Sequence, residues 1–185
     1  MSNKKYICVY GGASERIDDS IKKDVKELGK IIAENGLSLV YGGGATGCMG
    51  AVADGVSENG GYVFGIAPYF INEYEELFPC DKTIMVDTMS ERKLFMEKFA
   101  DMFIIVPGGV GTMDELFEIL TLKYLKQLDA PIVILNLNGY YDSLVALIDD
   151  MVKYRAAGIG IKELIEVIDD VNDDRIINYF KKIKN

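Results

Sequence analysis

Met102-Phe-Ile-Ile-Val106, running on into Pro107-Gly-Gly-Val-Gly-Thr-Met-Asp-Glu115, is the stretch that decides the fold. Apolar residues in unbroken succession read as a strand covered on both faces, the pattern of parallel sheets. The glycine turn leads into an apolar-periodic run from Thr112 to Leu128 that reads as a helix. Strand, glycine turn and helix together form the unit from which parallel α/β sheets are built.

The same unit recurs on both sides. Upstream, Tyr6 to Tyr10 reads as a strand followed by Gly11-Gly12. Residues 17–35 read as a helix with Ile21, Val25, Leu28, Ile31 and Ile32 at helical spacing, closed by Asn35-Gly36. Leu37 to Tyr41 is a second strand, followed by Gly42-Gly43-Gly44 and a small-residue helix over 46–59. Tyr62 to Ala67 is a third strand, stopped by Pro68, and Thr83 to Val86 a fourth. Between those two, residues 69–82 are irregular, acidic and aromatic. Thr88-Met-Ser-Glu91 is a capping-box pattern opening a helix to Phe99. Pro131 to Leu135 and a segment near Leu164 to Ile168 bring the total to about seven strands, and residues 141–154 and 172–183 read as helices. Every connection is long enough for a right-handed crossover. The prediction is an α/β, Rossmann-like, doubly wound parallel sheet with helices on both faces. At 185 residues, without a linker, repeat or low-complexity tract, a single domain over 1–185 is expected.

Composition narrows the chemistry. The net charge is −9, from 20 basic and 29 acidic residues, and there is no long Lys/Arg run, which argues against a nucleic-acid partner. There is no histidine, which excludes Ser-His-Asp and Cys-His catalysis and the usual His-containing metal sites. Cys8, Cys48 and Cys80 form no CxxC pair and suit free thiols in a reducing compartment. Met1 to Lys5 has no apolar core of signal-peptide length behind it, and no apolar run approaches the roughly 18 residues of a membrane span. A cytoplasmic protein without membrane association is expected.

Ligands of open parallel sheets bind outside the carboxyl ends of the strands. Three glycine turns fall at such ends, at Gly11-Gly12, at Gly42-Gly43-Gly44 and at Gly108-Gly109-Val110-Gly111-Thr112. Gly42-x-Gly44-x-x-Gly47 matches the dinucleotide fingerprint, but it follows the second strand, and the next strand ends at Ala67-Pro68 with no acid to hold a ribose. A tight turn with close helix packing is the plainer reading there. The turn from Gly108 to Thr112 is a phosphate cradle in outline, with backbone amides, a hydroxyl and a helix N-terminus. Thr112 and Glu115 also fit a T-x-x-E capping box. If phosphate binds, a carboxylate in the same first turn must serve something else, and an electron-poor sugar carbon is a natural partner. Arg92 and Lys93 diverge by about 100° on a helix, so at most one points squarely into a cleft. The plain alternative is a solvated face, with Lys93 pairing Glu97 at i,i+4. Glu73, Glu75 and Glu76 form a charge run of the kind that ordinarily faces solvent.

Val40-Tyr-Gly-Gly-Gly44 with Gly47-Cys-Met-Gly50, Met89-Ser-Glu-Arg-Lys93, Pro107 to Glu115, and Leu135-Asn-Leu-Asn-Gly-Tyr-Tyr-Asp142 together resemble the Lonely Guy (LOG) family. Its members are cytokinin riboside 5′-monophosphate phosphoribohydrolases, once commonly labelled lysine decarboxylases. The resemblance runs from about Tyr6 to Asp170. It implies a Rossmann-like fold, a homodimer, no metal and no cofactor, and a nucleoside monophosphate as the small-molecule partner, hydrolysed at the N-glycosidic bond to a free base and ribose 5-phosphate. By position it implies Arg92 and Glu115 as the catalytic pair. Glu75, Lys93, Gly108, Gly109, Val110, Gly111, Thr112, Met113, Asp114 and Thr121 are its substrate-binding positions, beside a secondary glycine rim of Gly12, Gly43 and Gly44. Ser90 stands where many members have His, Leu122 where Trp is frequent and Cys48 where Leu is frequent, and Lys126-Gln-Leu-Asp129 departs from the common segment. These departures bear on base preference and room for a prenyl group, and leave Arg92 and Glu115 intact. Two other readings compete. One is a non-catalytic nucleotide or molybdenum-cofactor carrier on the same fold. The other is an amino-acid decarboxylase, which requires a Schiff-base lysine and a cofactor pocket, and the sequence offers no independent sign of either.

Overall fold

The computed structural model describes residues 4–184. Among the described residues there are seven strands: β1 (Tyr6–Tyr10), β2 (Ser38–Tyr41), β3 (Tyr62–Pro68), β4 (Lys82–Val86), β5 (Met102–Ile105), β6 (Ile132–Leu135) and β7 (Glu166–Ile168). They alternate with α1 (Asp19–Glu34), α2 (Gly47–Glu58), α3 (Met89–Phe99), α4 (Val110–Tyr124), α5 (Asp142–Lys153) and α6 (Asp174–Lys184). All strands are parallel, in the order β4-β3-β2-β1-β5-β6-β7. The chain begins at the centre, winds outward to β4, returns beside β1 and winds outward the other way. The doubly wound α/β sheet expected from the sequence is the observed fold.

Alternation along the strands feeds two cores. Ile7, Val9, Leu39, Tyr41, Met102 and Ile104 pack with apolar residues of α1, α2 and α6. Cys8, Tyr10, Val40, Phe64, Phe103 and Ile105 pack with those of α3, α4 and α5 on the other face. Burial on both sides is why the strands read as continuous apolar runs. Helices α1 and α2 cross at Gly29 and Gly55, where a Cβ would lie 2.3 Å from Val52 O and 2.0 Å from Lys26 O respectively. The small residues of the second helix are there to let two backbones meet.

Local signals held at some ends and misled at others. Thr88 caps α3, and Glu91 completes the expected box. At α4 the box does not form: the helix starts at Val110 behind Gly109, no side chain caps it, and Thr112 and Glu115 both lie inside it. Glu115 is therefore not in the first turn as the sequence reading had it. Helix α4 also ends at Tyr124 rather than Leu128, because Lys126 turns left-handed at φ 59° and Gln127 N–H closes onto Leu122 O. The irregular stretch after β3 contains a short 3-10 turn, Tyr69–Glu73, and is pinned to the second glycine turn by Phe78 N–H to Gly43 O and Ala45 N–H to Glu76 O. No described helix is long and apolar enough to cross a membrane.

Gly55→Val is expected to force α1 and α2 apart and cost about 2–3 kcal/mol. The check is a lower urea midpoint at unchanged slope.

Candidate active site

The winding reverses between β1 and β5, so the loops after them diverge and leave a crevice at the sheet's C-terminal edge. A cleft of about 500 Å³ lies there. Gly11 to Ser14, Gly108, Gly109, Gly111 and Thr112 line one part of it, Ile17, Met49, Ile71 and Met89 give apolar wall, and Glu75, Arg92, Glu115 and Tyr140 supply polar groups.

The three glycine turns serve different ends. At the start of α2 the amides of Cys48 and Met49 already donate to Gly12 O, and the Thr46 hydroxyl donates to Ala13 O at 2.6 Å. That helix N-terminus is occupied by the first turn and cannot cradle a phosphate, in keeping with the packing reading of the Gly42–Gly47 fingerprint. Of the secondary rim, Gly12 lines the cleft, while Gly43 and Gly44 do not. Gly44 stands behind Glu75, whose Oε2 would be 3.3 Å from a Cβ there. The third turn, by contrast, leaves its helix N-terminus free. Among the described residues no acceptor takes the amides of Gly109, Val110, Gly111 or Thr112, and the buried Thr112 side chain reaches the cleft with no hydrogen bond to its hydroxyl. Four unpaired donors at a helix N-terminus form a site for an anion.

Below this turn sits the Arg92–Glu115 pair, both buried, with Nη1 3.7 Å from Oε1. Helix α3 aims Arg92 inward, where its Nε donates to Ile66 O at 3.3 Å. Gly42 makes room for it: a Cβ at that position would stand 1.6 Å from Arg92 Nη2. Burial pushes the Glu115 carboxyl up to about 7, against the pull of the Arg92 guanidinium. Glu115 is thus poised between ionised and protonated near neutrality.

Lys93 turns the other way. It pairs with Asp114 at 2.8 Å and with Glu118, both on α4, and not with Glu97 as an i,i+4 pair. Burial works against its charge, but these carboxylates outweigh it and hold its pKa above the ordinary value. The resemblance's other positions divide. Glu75, Gly108, Gly109, Gly111 and Thr112 join Arg92 and Glu115 in the cleft, whereas Lys93, Val110, Met113, Asp114 and Thr121 are outside its wall. Val110 is 88% exposed, and the Thr121 hydroxyl donates back to Phe117 O. Sequence reasoning missed Tyr140 as a cleft residue. Its signal was its place in the Leu135–Asp142 motif, which local reading assigned to starting a helix. Burial raises the Cys8 and Cys48 thiols, which keeps them protonated and inert. Among the described residues, no group of three or more Cys, Asp or Glu side chains is placed to hold a metal ion.

A parallel sheet with a turn of unpaired amides and a buried Arg–Glu pair at its switch point defines the class. A family profile described as "Possible lysine decarboxylase" matches residues 49–175, and the chain belongs to this family, that of the LOG proteins. It is 40% identical over 149 residues to the cytokinin riboside 5′-monophosphate phosphoribohydrolase LOG of Oryza sativa subsp. japonica, a match covering 80% of this chain and 62% of the rice protein. It is 41% identical over 149 residues to the cytokinin riboside 5′-monophosphate phosphoribohydrolase of Mycobacterium tuberculosis, covering 80% and 79%. The chain therefore spans less than two thirds of the rice relative's length. Among solved structures, the molybdenum cofactor binding protein of Rippkaea orientalis matches with a TM-score of 0.74 at 21% identity over 100% of both chains. The molybdenum cofactor carrier protein of Chlamydomonas reinhardtii matches at 0.73 and 22%, over 98% of each. These two likenesses are of fold.

A carboxyl raised by burial binds its proton more tightly folded than unfolded. Below the ordinary carboxylate pKa both states are protonated and nothing is lost; the penalty grows from about pH 4.5 to about 7 and is full above that. Glu115→Gln is expected to raise stability at pH 8 by at most about 3 kcal/mol and to leave it nearly unchanged at pH 4, as measured by urea unfolding at the two pH values.

Proposed function

We propose that the chain hydrolyses the N-glycosidic bond of nucleoside 5′-monophosphates of the AMP or cytokinin riboside monophosphate type, releasing free base and ribose 5-phosphate. The observation that carries this reading is a turn of four unpaired amides sharing one cleft with a buried carboxylate that has no capping role. The names of the rice and mycobacterial relatives support it.

In this reading the 5′-phosphate docks on the amides of Gly109 to Thr112 and anchors the sugar. The C–N bond breaks, water's oxygen bonds to C1′, and the departing base takes up a proton. Positive charge builds on the sugar, and ionised Glu115 faces it. The Arg92 guanidinium keeps a fraction of Glu115 ionised and donates a hydrogen bond to the departing base. Burial strengthens this electrostatic pull, as in glycoside hydrolysis by carboxylates. The phosphate supplies binding energy far from the reacting bond. Ile17, Ile71 and Met89 offer the base an apolar wall.

The decarboxylase label lacks its central group, since no lysine lines the cleft among the described residues and Lys93 is held by Asp114 and Glu118 outside it. A carrier has no use for a buried acid beside its ligand's sugar. Incubation with AMP and with adenosine, read by release of adenine, tests the proposal. AMP is expected to be cleaved and adenosine barely; no adenine from any nucleoside monophosphate overturns the reading in favour of a carrier. Glu115→Gln is expected to lower kcat by about 100-fold or more with little change in AMP binding.

We also propose a homodimer. Leu94 on α3, Val110 and Tyr124 on α4, and Leu125 just beyond it are exposed apolar residues on neighbouring helices. Light scattering is expected to give twice the chain mass, and a monomer mass overturns this.

A further inference from the structure

We propose that Tyr140 is a positioning residue for the anion-accepting turn, setting the direction of the Gly109 amide through a hydrogen bond to Gly108 O. The inference rests on the reading that this turn holds the substrate's phosphate.

Three successive carbonyls run through the turn's entry, and each is held from outside. Val106 O accepts from the Tyr141 hydroxyl at 2.7 Å, Pro107 O from Gly12 N–H at 3.1 Å, and Gly108 O from the Tyr140 hydroxyl at 2.8 Å. A peptide unit is planar and trans, so its C=O and N–H point in opposite directions. Holding Gly108 O therefore fixes the Gly109 N–H, the first free donor of the cradle. A Gly-Gly peptide is the kind that rotates readily, and once rotated it would turn a carbonyl toward the phosphate instead of an amide. The hydroxyl of Tyr140 opposes that rotation.

The corner that carries Tyr140 is built for the purpose. Asn136 is buried; its Oδ1 accepts from Tyr141 N–H at 2.6 Å, and its Nδ2 donates to Asp142 at 2.9 Å and to Asp169 at 3.2 Å. Asn138 and Gly139 turn left-handed, at φ 54° and 70°. Tyr141 is buried and packs edge-on against Tyr140, with ring centroids 4.9 Å apart. Tyr141 thus anchors the corner to β5's exit, while Tyr140, 47% exposed, stands at the cleft with its hydroxyl on the turn. Removing the Tyr140 hydroxyl leaves this anchor whole.

The test is Tyr140→Phe, which keeps the ring. One lost neutral hydrogen bond leads to an expected 3- to 10-fold weakening, roughly, of AMP and inorganic phosphate binding by calorimetry. KM for AMP is expected to rise by the same factor with kcat within about threefold, while adenosine inhibition and the melting temperature stay unchanged. Amide exchange at Gly109 is expected to quicken. Unchanged AMP affinity and unchanged Gly109 exchange overturn the proposal, as does an equal loss for adenosine and AMP. If the wild-type protein binds neither AMP nor phosphate, the functional reading itself has failed. Normal wild-type binding with an indifferent Phe variant refutes Tyr140's role alone.

Discussion

A carboxylate largely buried beside a guanidinium, at the wall of a cleft, is the constraint around which the centre of this molecule is arranged. Taking Glu115 out of solvent disfavours its charge, and the nearby Arg92 offsets part of that cost. Arg92 in turn needs a place to lie. It has one because Gly42 has no side chain and because Ile66 offers a carbonyl at the end of β3. Its approach angle is set by α3, whose first turn is locked by Thr88 and Glu91. Residues on β3, the β2 turn, α3 and α4 are thereby tied to one ionic contact.

The three glycine turns divide the work around that contact. One spends its carbonyl on the start of α2, one yields space to Arg92, and one keeps its amides unspent. Their sequences look alike, and only their neighbours distinguish them. A helix N-terminus binds an anion only if nothing else has taken its donors. By that criterion α2 is closed and α4 is open.

The fold was legible because burial on both faces leaves a strong imprint: apolar strands such as Met102 to Val106, each followed by glycine. The Arg92–Glu115 pair was legible through motifs, and not through local physics, which offered a solvated face for one and a capping box for the other. The box misled because T-x-x-E is satisfied equally by residues one turn inside a helix that starts on bare glycine backbone. Lys93 found its partners on α4 rather than on its own helix, and local spacing carries no record of a neighbour 21 residues away. The contact of Tyr140 left no local trace for the same reason, since its hydroxyl meets a carbonyl 32 residues upstream.

The strip from Tyr69 to Phe78 reaches the cleft through Ile71 and Glu75 yet rests on the sheet's edge by a short antiparallel bridge between Gly44 and Leu77 and a few main-chain bonds. Among its described side chains, Phe78 alone packs against the apolar core of either face of the sheet. The cleft's two ends are therefore held to the sheet by unequal numbers of contacts. Replacement of this strip would reshape the pocket's outer end while the unpaired amides at the start of α4 stay as they are, so one wall of the cleft is free to diversify among such proteins without disturbing the turn opposite it.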